Sequence, residues 1–147
     1  MPYTPAGAAF THLLLQVFQL NGLLLEAGDR LTSPTGQTGG RWQVLGCIDD
    51  QPRTVAAVAR TMGLTRQSVQ RTADLLVADG LAEYLPNPEH KRAKLLRLTL
   101  EGQTVLTAIE TAQQGWANRV AAPLTEAELL EAGRLLGRVL QAVQKTR

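Results

Sequence analysis

The stretch Thr54-Val-Ala-Ala-Val-Ala-Arg-Thr-Met-Gly-Leu-Thr-Arg-Gln-Ser-Val-Gln-Arg-Thr-Ala-Asp-Leu-Leu-Val-Ala-Asp-Gly80 decides the fold. Thr54 is an N-cap residue ahead of Val55, Val58 and Ala59, which share one face of a short helix running out at Met62-Gly63. Thr65 caps a second, longer helix that extends to about Ala78 and ends at Asp79-Gly80. Short helix, glycine turn and longer helix make a helix-turn-helix. At about 100° per residue, Arg66, Gln67, Gln70, Arg71 and Asp74 fall within one arc of the longer helix, opposite Val69, Thr72, Ala73 and Leu76. One face is built to pack and the other to meet something polar. Arg and Gln carry forked donors and acceptors that match guanine and adenine edges in the major groove, and Thr65 and Ser68 suit phosphate or base. A solvated amphipathic helix has the same pattern in isolation, but the capped short helix and glycine turn before it favour DNA reading.

Downstream, residues 81–85 and 94–98 alternate as two short strands, Leu81 and Leu85 against Ala82 and Tyr84, then Leu96 and Leu98 around Arg97. The connecting Pro86-Asn-Pro-Glu-His-Lys-Arg-Ala93 contains two prolines that break both periods, so a protruding hairpin is expected. Lys91, Arg92 and Lys94 cluster near its tip. An arginine on so thin a loop can enter the narrow minor groove, where the potential is most negative. The alternative is a solvated turn, with Lys94 and Arg97 keeping a strand edge from aggregating. A hairpin placed after a helix-turn-helix is a wing.

Outward from this centre the chain reads as helix. Thr99 caps a segment in which Val105, Leu106, Ile109, Ala112, Trp116 and Val120 recur at three- and four-residue steps up to Pro123. Thr125-x-x-Glu128 is a capping box that opens a last helix, whose Leu129, Gly133, Leu136, Leu140 and Val143 form a narrow seam suited to packing on another helix, including that of a second copy. On the N-terminal side, Trp42, Leu45 and Ile48 mark a helix over about 40–49, stopped by Pro52 and preceded by a loop over Leu31–Gly40. Phe10 to Leu25 is strongly apolar, but Thr11, His12, Gln16, Gln19, Asn21 and Gly22 interrupt it. It reads as too short to span a bilayer and as a buried or interface helix, so no membrane association is expected.

With 147 residues and 44% hydrophobic content, the chain fits one domain with an ordinary apolar core. Its net charge of +2 is small, yet unevenly placed. Residues 1–52 carry two basic and four acidic side chains, residues 53–97 eight and four, and residues 98–147 five of each. The whole positive excess lies in the central third, as for a localised polyanion-binding face or for a basic surface that is merely solvated. The single Cys47 excludes an intramolecular disulfide, nothing reads as a cleavable signal, and a cytoplasmic location is expected.

Three motifs then point the same way. Gly63-Leu-Thr-Arg-Gln-Ser-Val-Gln-Arg71, Leu75-Leu-Val-Ala-Asp-Gly-Leu81 and Asn87-Pro-Glu-His-Lys-Arg-Ala-Lys-Leu-Leu-Arg-Leu-Thr99, in that order and spacing, resemble the core of the MarR family of winged helix-turn-helix regulators. The match is close over about residues 41–106, and the flanking helices agree in order and length. The resemblance implies a homodimer built from the N- and C-terminal helices, two winged lobes below it, and a small-molecule or redox signal that changes DNA affinity. The family's wing has an aspartate before its two basic residues. Here that place is His90, ahead of Lys91 and Arg92, which puts in doubt the acid's usual job of steadying the wing arginine.

No enzyme is expected, and no cofactor or metal. The only serines are Ser33 and Ser68 and the only histidines His12 and His90, none in a nucleophile-elbow, zinc or phosphate-loop spacing. Thr35-Gly-Gln-Thr-Gly-Gly40 lacks the Gly-Lys-Ser/Thr ending of a phosphate cradle and reads as a flexible lead-in to a helix. Cys47, between Leu45 and Ile48 and without nearby basic residues, reads as a buried structural thiol, a thiol redox switch being the alternative. His12, Arg41 and Trp42 are candidates to line an effector pocket.

The fold expected is thus mainly α with a minor β part: one domain over 1–147, a winged lobe over about 40–99, and dimerisation helices over about 6–28 and 100–146. The function expected is that of a regulator, most simply a repressor, binding a pseudo-palindromic double-stranded operator. Thr54, Thr65, Arg66, Gln67, Ser68, Gln70, Arg71, His90, Lys91 and Arg92 are the candidate DNA contacts. The competing class is a winged-helix protein-interaction module that does not bind DNA.

Overall fold

The computed structural model describes all 147 residues. Side-chain caps start most of its helices. Thr4 accepts from the Gly7 amide and opens α1 (Pro5–Thr32); Thr38 accepts from Arg41 and opens α2 (Gly39–Cys47). Thr54 and Thr65 do the same for α3 (Val55–Met62) and α4 (Arg66–Ala78), accepting from Ala57 and Ser68. Thr125 and Glu128 form a reciprocal capping box at the start of α6 (Glu126–Gln144), and α5 covers Leu100–Ala121. Each cap satisfies an amide that the first turn leaves without a partner. Gly63 closes α3 at φ +66°, a left-handed conformation open to glycine without strain.

The strands form one antiparallel sheet in the order β1 (Arg53–Thr54), β3 (Leu95–Leu98), β2 (Ala82–Leu85). Ala82 faces Leu98, Tyr84 faces Leu96, and Arg53 also faces Leu96 across the other edge. β2 and β3 each start one residue inside the expected ranges. β1 was not expected; its two residues use the Thr54 cap segment to cover the free edge of the hairpin.

Two compact units divide the chain, Met1–Glu110 and Thr111–Arg147. In the first, Val44, Leu45, Ile48, Val58, Val69, Ala73, Leu76, Leu81, Leu96 and Leu106 are buried in one cluster drawn from α2 to α5 and the sheet. Each large aliphatic side chain buried there contributes about 1.5–3 kcal/mol. In the second unit, α6 buries none of its residues, and Leu130 (66% exposed), Leu136 and Leu140 lie open.

The helix boundaries ahead of the winged lobe's core also differ from the sequence reading. The N-terminal helix, expected over about 6–28, continues to Thr32 and passes into a 3₁₀ turn over Ser33–Thr35, leaving only a short loop before α2. Asp29 holds it there by accepting the Gly39 amide at 2.9 Å, while the Thr32 hydroxyl, buried, bonds the Gly28 carbonyl at 2.8 Å. At 28 residues α1 has the length and apolar composition to cross a bilayer, so the shortness argued from Phe10–Leu25 does not hold, while its reading as an interface helix is untouched. α2 ends at Cys47 rather than near 49, where Ile48 leaves helical geometry, so the helix stops well before Pro52.

Two junctions fix the hairpin. At its base, the Thr99 hydroxyl donates to the Gly80 carbonyl at 2.6 Å and accepts the Gly102 amide at 3.1 Å, while the Thr99 amide bonds the Leu81 carbonyl at 3.2 Å. α5 therefore starts directly on the turn that ends α4, and a Cβ at Gly102 would stand 1.9 Å from the Leu81 carbonyl oxygen. On the sheet itself, the Tyr84 hydroxyl donates to Asp74 Oδ1 at 2.5 Å, joining β2 to α4. Burial and the Asp74 carboxylate together push the Tyr84 hydroxyl from its ordinary 10.0 up to about 12.

We expect Gly102→Ala to destabilise the fold by about 3 kcal/mol, because backbone cannot move aside from a backbone oxygen. Gly46→Ala, at an exposed helical site with nothing within 4 Å, should gain about 0.5–1 kcal/mol. Urea midpoints check both. Because the folded pKa of Tyr84 lies above its unfolded value, its contribution to stability is complete below pH 10 and is lost as pH rises through about 12. Ultraviolet titration should show a tyrosinate step near pH 12 that Tyr84→Phe abolishes.

Candidate nucleic-acid interface

The rotation of α4 follows from its buried stripe. Val69, Ala73 and Leu76 are 1% exposed or less, so Arg66, Gln67, Gln70, Arg71 and Asp74 face solvent as the wheel requires. Ser68, one of the candidate contacts, is half-buried, and its amide is the one that Thr65 caps. The hydroxyls of Thr65 and Thr54 each accept an amide at 3.1 Å, so both residues serve their own helices first. Each keeps a hydroxyl hydrogen to donate.

The wing is held by its own backbone. Asn87 Oδ1 accepts the Glu89 amide at 3.1 Å, the Asn87 carbonyl accepts from His90 at 3.2 Å, and the His90 carbonyl accepts from Ala93 at 3.3 Å. Two successive turns thus present His90, Lys91 and Arg92 as exposed side chains. Asn87, overlooked in the sequence reading, shapes the tip through an Asx turn that the Asn-Pro pair signals. No acidic side chain pairs with Arg92, which accords with the replacement of the family's aspartate by His90.

Helix and wing border one concave surface of about 520 Å³, lined by Thr54, Arg66, Gln67, Gln70, Tyr84 and Arg92 among others. Lys91 and Lys94 line a smaller hollow beside it, under the wing and against Tyr84 and Asn87. Ion pairing sharpens the charge of this face. Arg53 is bound to Asp50 at 3.0 Å and Arg97 to Glu83 on the neighbouring strand, whereas Arg66, Arg71, Lys91, Arg92 and Lys94 have no acidic partner. Of the central third's unpaired cations, all but Arg60 on α3 therefore stand on α4 and the wing. Gln70 is also tied to Tyr84 and Asp74. A fourteen-residue separation left that contact without a local sequence signal.

The three effector candidates do not converge within one copy. Arg41 is half-buried and bonds Asp79, the C-cap of α4, at 2.7 Å. Trp42 packs against the core of the winged lobe and lies beside Gly28 on α1. His12 is exposed, sixteen residues before Gly28 on the same helix and so roughly 24 Å along it. Cys47 is buried at 7% exposure, and its carbonyl accepts from Arg53 Nε at 2.8 Å, placing a basic residue near its backbone that the sequence reading had not foreseen.

This geometry agrees with known proteins. The MarR family model matches residues 35–93, which take in α2 through the wing. An uncharacterised protein of Mycobacterium tuberculosis is 40% identical over 135 residues, covering 92% of this chain and 94% of its own length. Among solved structures, a MarR mutant from E. coli complexed with operator DNA is 26% identical with a TM-score of 0.72, over 86% of this chain and 95% of its own. MarR of Staphylococcus aureus in complex with salicylate and kanamycin superposes with a TM-score of 0.81 at 17% identity, over 95% of both chains, a likeness of fold. With the capped helix-turn-helix, the three-stranded wing and these relatives in agreement, the chain belongs to the MarR family of winged-helix DNA-binding transcriptional regulators.

Proposed function

We propose that the protein acts in the cytoplasm as a homodimeric repressor that occupies a pseudo-palindromic operator, with α4 in the major groove and the wing over the adjacent minor groove. The observation that carries this reading is the single concave face in which Arg66, Gln67 and Gln70 of α4 stand opposite Arg92 of the wing. Arg66, Gln67, Gln70 and Arg71 are the base-edge readers; Thr54, Thr65 and Ser68 contact phosphate; His90, Lys91 and Arg92 follow the backbone and minor groove. The E. coli relative's complex with operator DNA supports DNA binding by this fold.

Dimerisation is proposed from apolar surface that one copy leaves open. α1 exposes Phe10, Leu15, Phe18 and Leu23, and α6 exposes Leu129, Leu136, Leu140 and Val143. Helices of this kind need cover, and a second copy supplies identical faces by two-fold symmetry. It also gives the apolar length of α1 a use that requires no membrane.

For the effector we propose a small aromatic anion, the chemical class of the salicylate in the S. aureus complex, and place it near Arg41 and Trp42 because a guanidinium beside an indole suits an anionic ring. A ligand drawn to Arg41 competes with Asp79 and so acts on the C-terminal cap of α4. If His12 takes part, the second copy provides it. Cys47 stays a structural thiol in this reading.

Binding to random-sequence duplex should weaken steeply with salt, as phosphate neutralisation demands. Salt-independent or absent binding would favour a protein-interaction module instead. Arg92→Ala should weaken operator and non-operator DNA alike, by about tenfold, whereas Arg71→Ala should mainly lower the preference for operator. Equal loss of preference in both variants would contradict these roles. Light scattering at micromolar concentration should give the mass of two chains, and a clean monomer would remove the symmetric operator along with the dimer.

A further inference from the structure

We infer that Tyr84 and Asp74 fix what Gln70 presents to DNA, a lone carbonyl acceptor, so that this residue selects an exocyclic amino group, adenine or cytosine over guanine or thymine, at its half-site position. The inference rests on the reading of α4 as the major-groove helix.

A glutamine carboxamide has two N–H donors and one carbonyl acceptor. Gln70 Nε2 lies 3.0 Å from Asp74 Oδ1 and 2.9 Å from the Tyr84 hydroxyl oxygen, so each of its hydrogens has a partner. The direction of these bonds is settled by chemistry. Asp74 can only accept, so the amide must turn Nε2 toward it; the reversed amide would set a carbonyl oxygen against a carboxylate. Tyr84 donates its one hydrogen to the same Oδ1, which leaves a phenol lone pair to accept from Gln70. A phenol holds its hydrogen at neutral pH, its ordinary pKa being near 10.

An unconstrained glutamine reads adenine with two bonds, donating to N7 and accepting from N6. Gln70 has no hydrogen left for N7. Its free group is Oε1, which pairs equally with N6 of adenine or N4 of cytosine and is repelled by O6 of guanine or O4 of thymine. The reading becomes amino against keto on the contacted strand. The same network gives Asp74 a reason to stand on an arc that otherwise faces phosphate, where an unpaired carboxylate would be repulsive.

The test is selection from a duplex library with a randomised core, followed by measuring each base at every half-site position. The wild-type protein should show one position where adenine and cytosine bind within about threefold of each other and guanine and thymine about tenfold more weakly. Tyr84→Phe frees one Nε2 hydrogen, so adenine should exceed cytosine there by about tenfold, with other positions unchanged. Asp74→Ala should shift the same ratio in the same direction. Because the readout is a ratio within one protein, it is insensitive to the charge that this second variant removes. Gln70→Ala should flatten that position alone. If Gln70→Ala flattens it while neither Tyr84→Phe nor Asp74→Ala changes the ratio, the network has no part in selection and the inference fails. A wild-type protein that binds no DNA would overturn the major-groove reading itself, and this inference with it.

Discussion

Val69, Ala73 and Leu76 fix the rotation of α4 about its own axis, and the rest of the functional surface depends on that constraint. Their stripe meets Leu81, Leu96 and Leu106 in the core, so turning the helix by one residue, about 100°, would drive polar groups into a dry interior. The penalty for a buried polar group without a partner is about 1–3 kcal/mol, several times what any surface contact returns. Arg66, Gln67, Gln70 and Arg71 thus face outward because of what lies behind them. The wing is placed by the same economy of short links: Thr99 and Gly102 bring α5 onto the turn after α4, and Tyr84 bonds back to Asp74.

Electrostatics complete the face without stabilising it much. The pairs Arg53 with Asp50, Arg97 with Glu83 and Arg41 with Asp79 are at least partly exposed, and such pairs contribute little to folding. Their effect lies in distribution. They neutralise cations at the sheet and on α2, whereas Arg66, Arg92 and Lys94 line one hollow, and Lys91 and Lys94 the hollow beside it, with no acidic partner. A polyanion therefore meets the helix and the wing first, although the chain as a whole carries only +2.

What the sequence made legible was whatever is encoded within a few residues. The caps at Thr54, Thr65 and Thr125 each involve a hydroxyl and an amide three positions away, and the amphipathic arc of α4 is a matter of period. The features it hid are held by distant partners. α1 runs on to Thr32 because Asp29 meets Gly39 across a loop; β1 is two residues long and pairs with a strand some forty residues later; Gln70 is set by Tyr84. His90 was visible as a departure from the family pattern. The Asn87 turns that hold the wing tip depend on backbone geometry that a list of charges does not contain.

The central claim is that two copies of this surface read DNA as one rigid, symmetric pair. Footprinting on a selected operator, compared with the same operator carrying an insertion of about five base pairs at its centre, tests it most directly. The insertion rotates one half-site by roughly half a turn about the duplex. The account predicts an imperfect inverted repeat with half-site centres about 10 base pairs apart, wing protection outside them, and binding lost on insertion. Undiminished binding to the inserted site would contradict it.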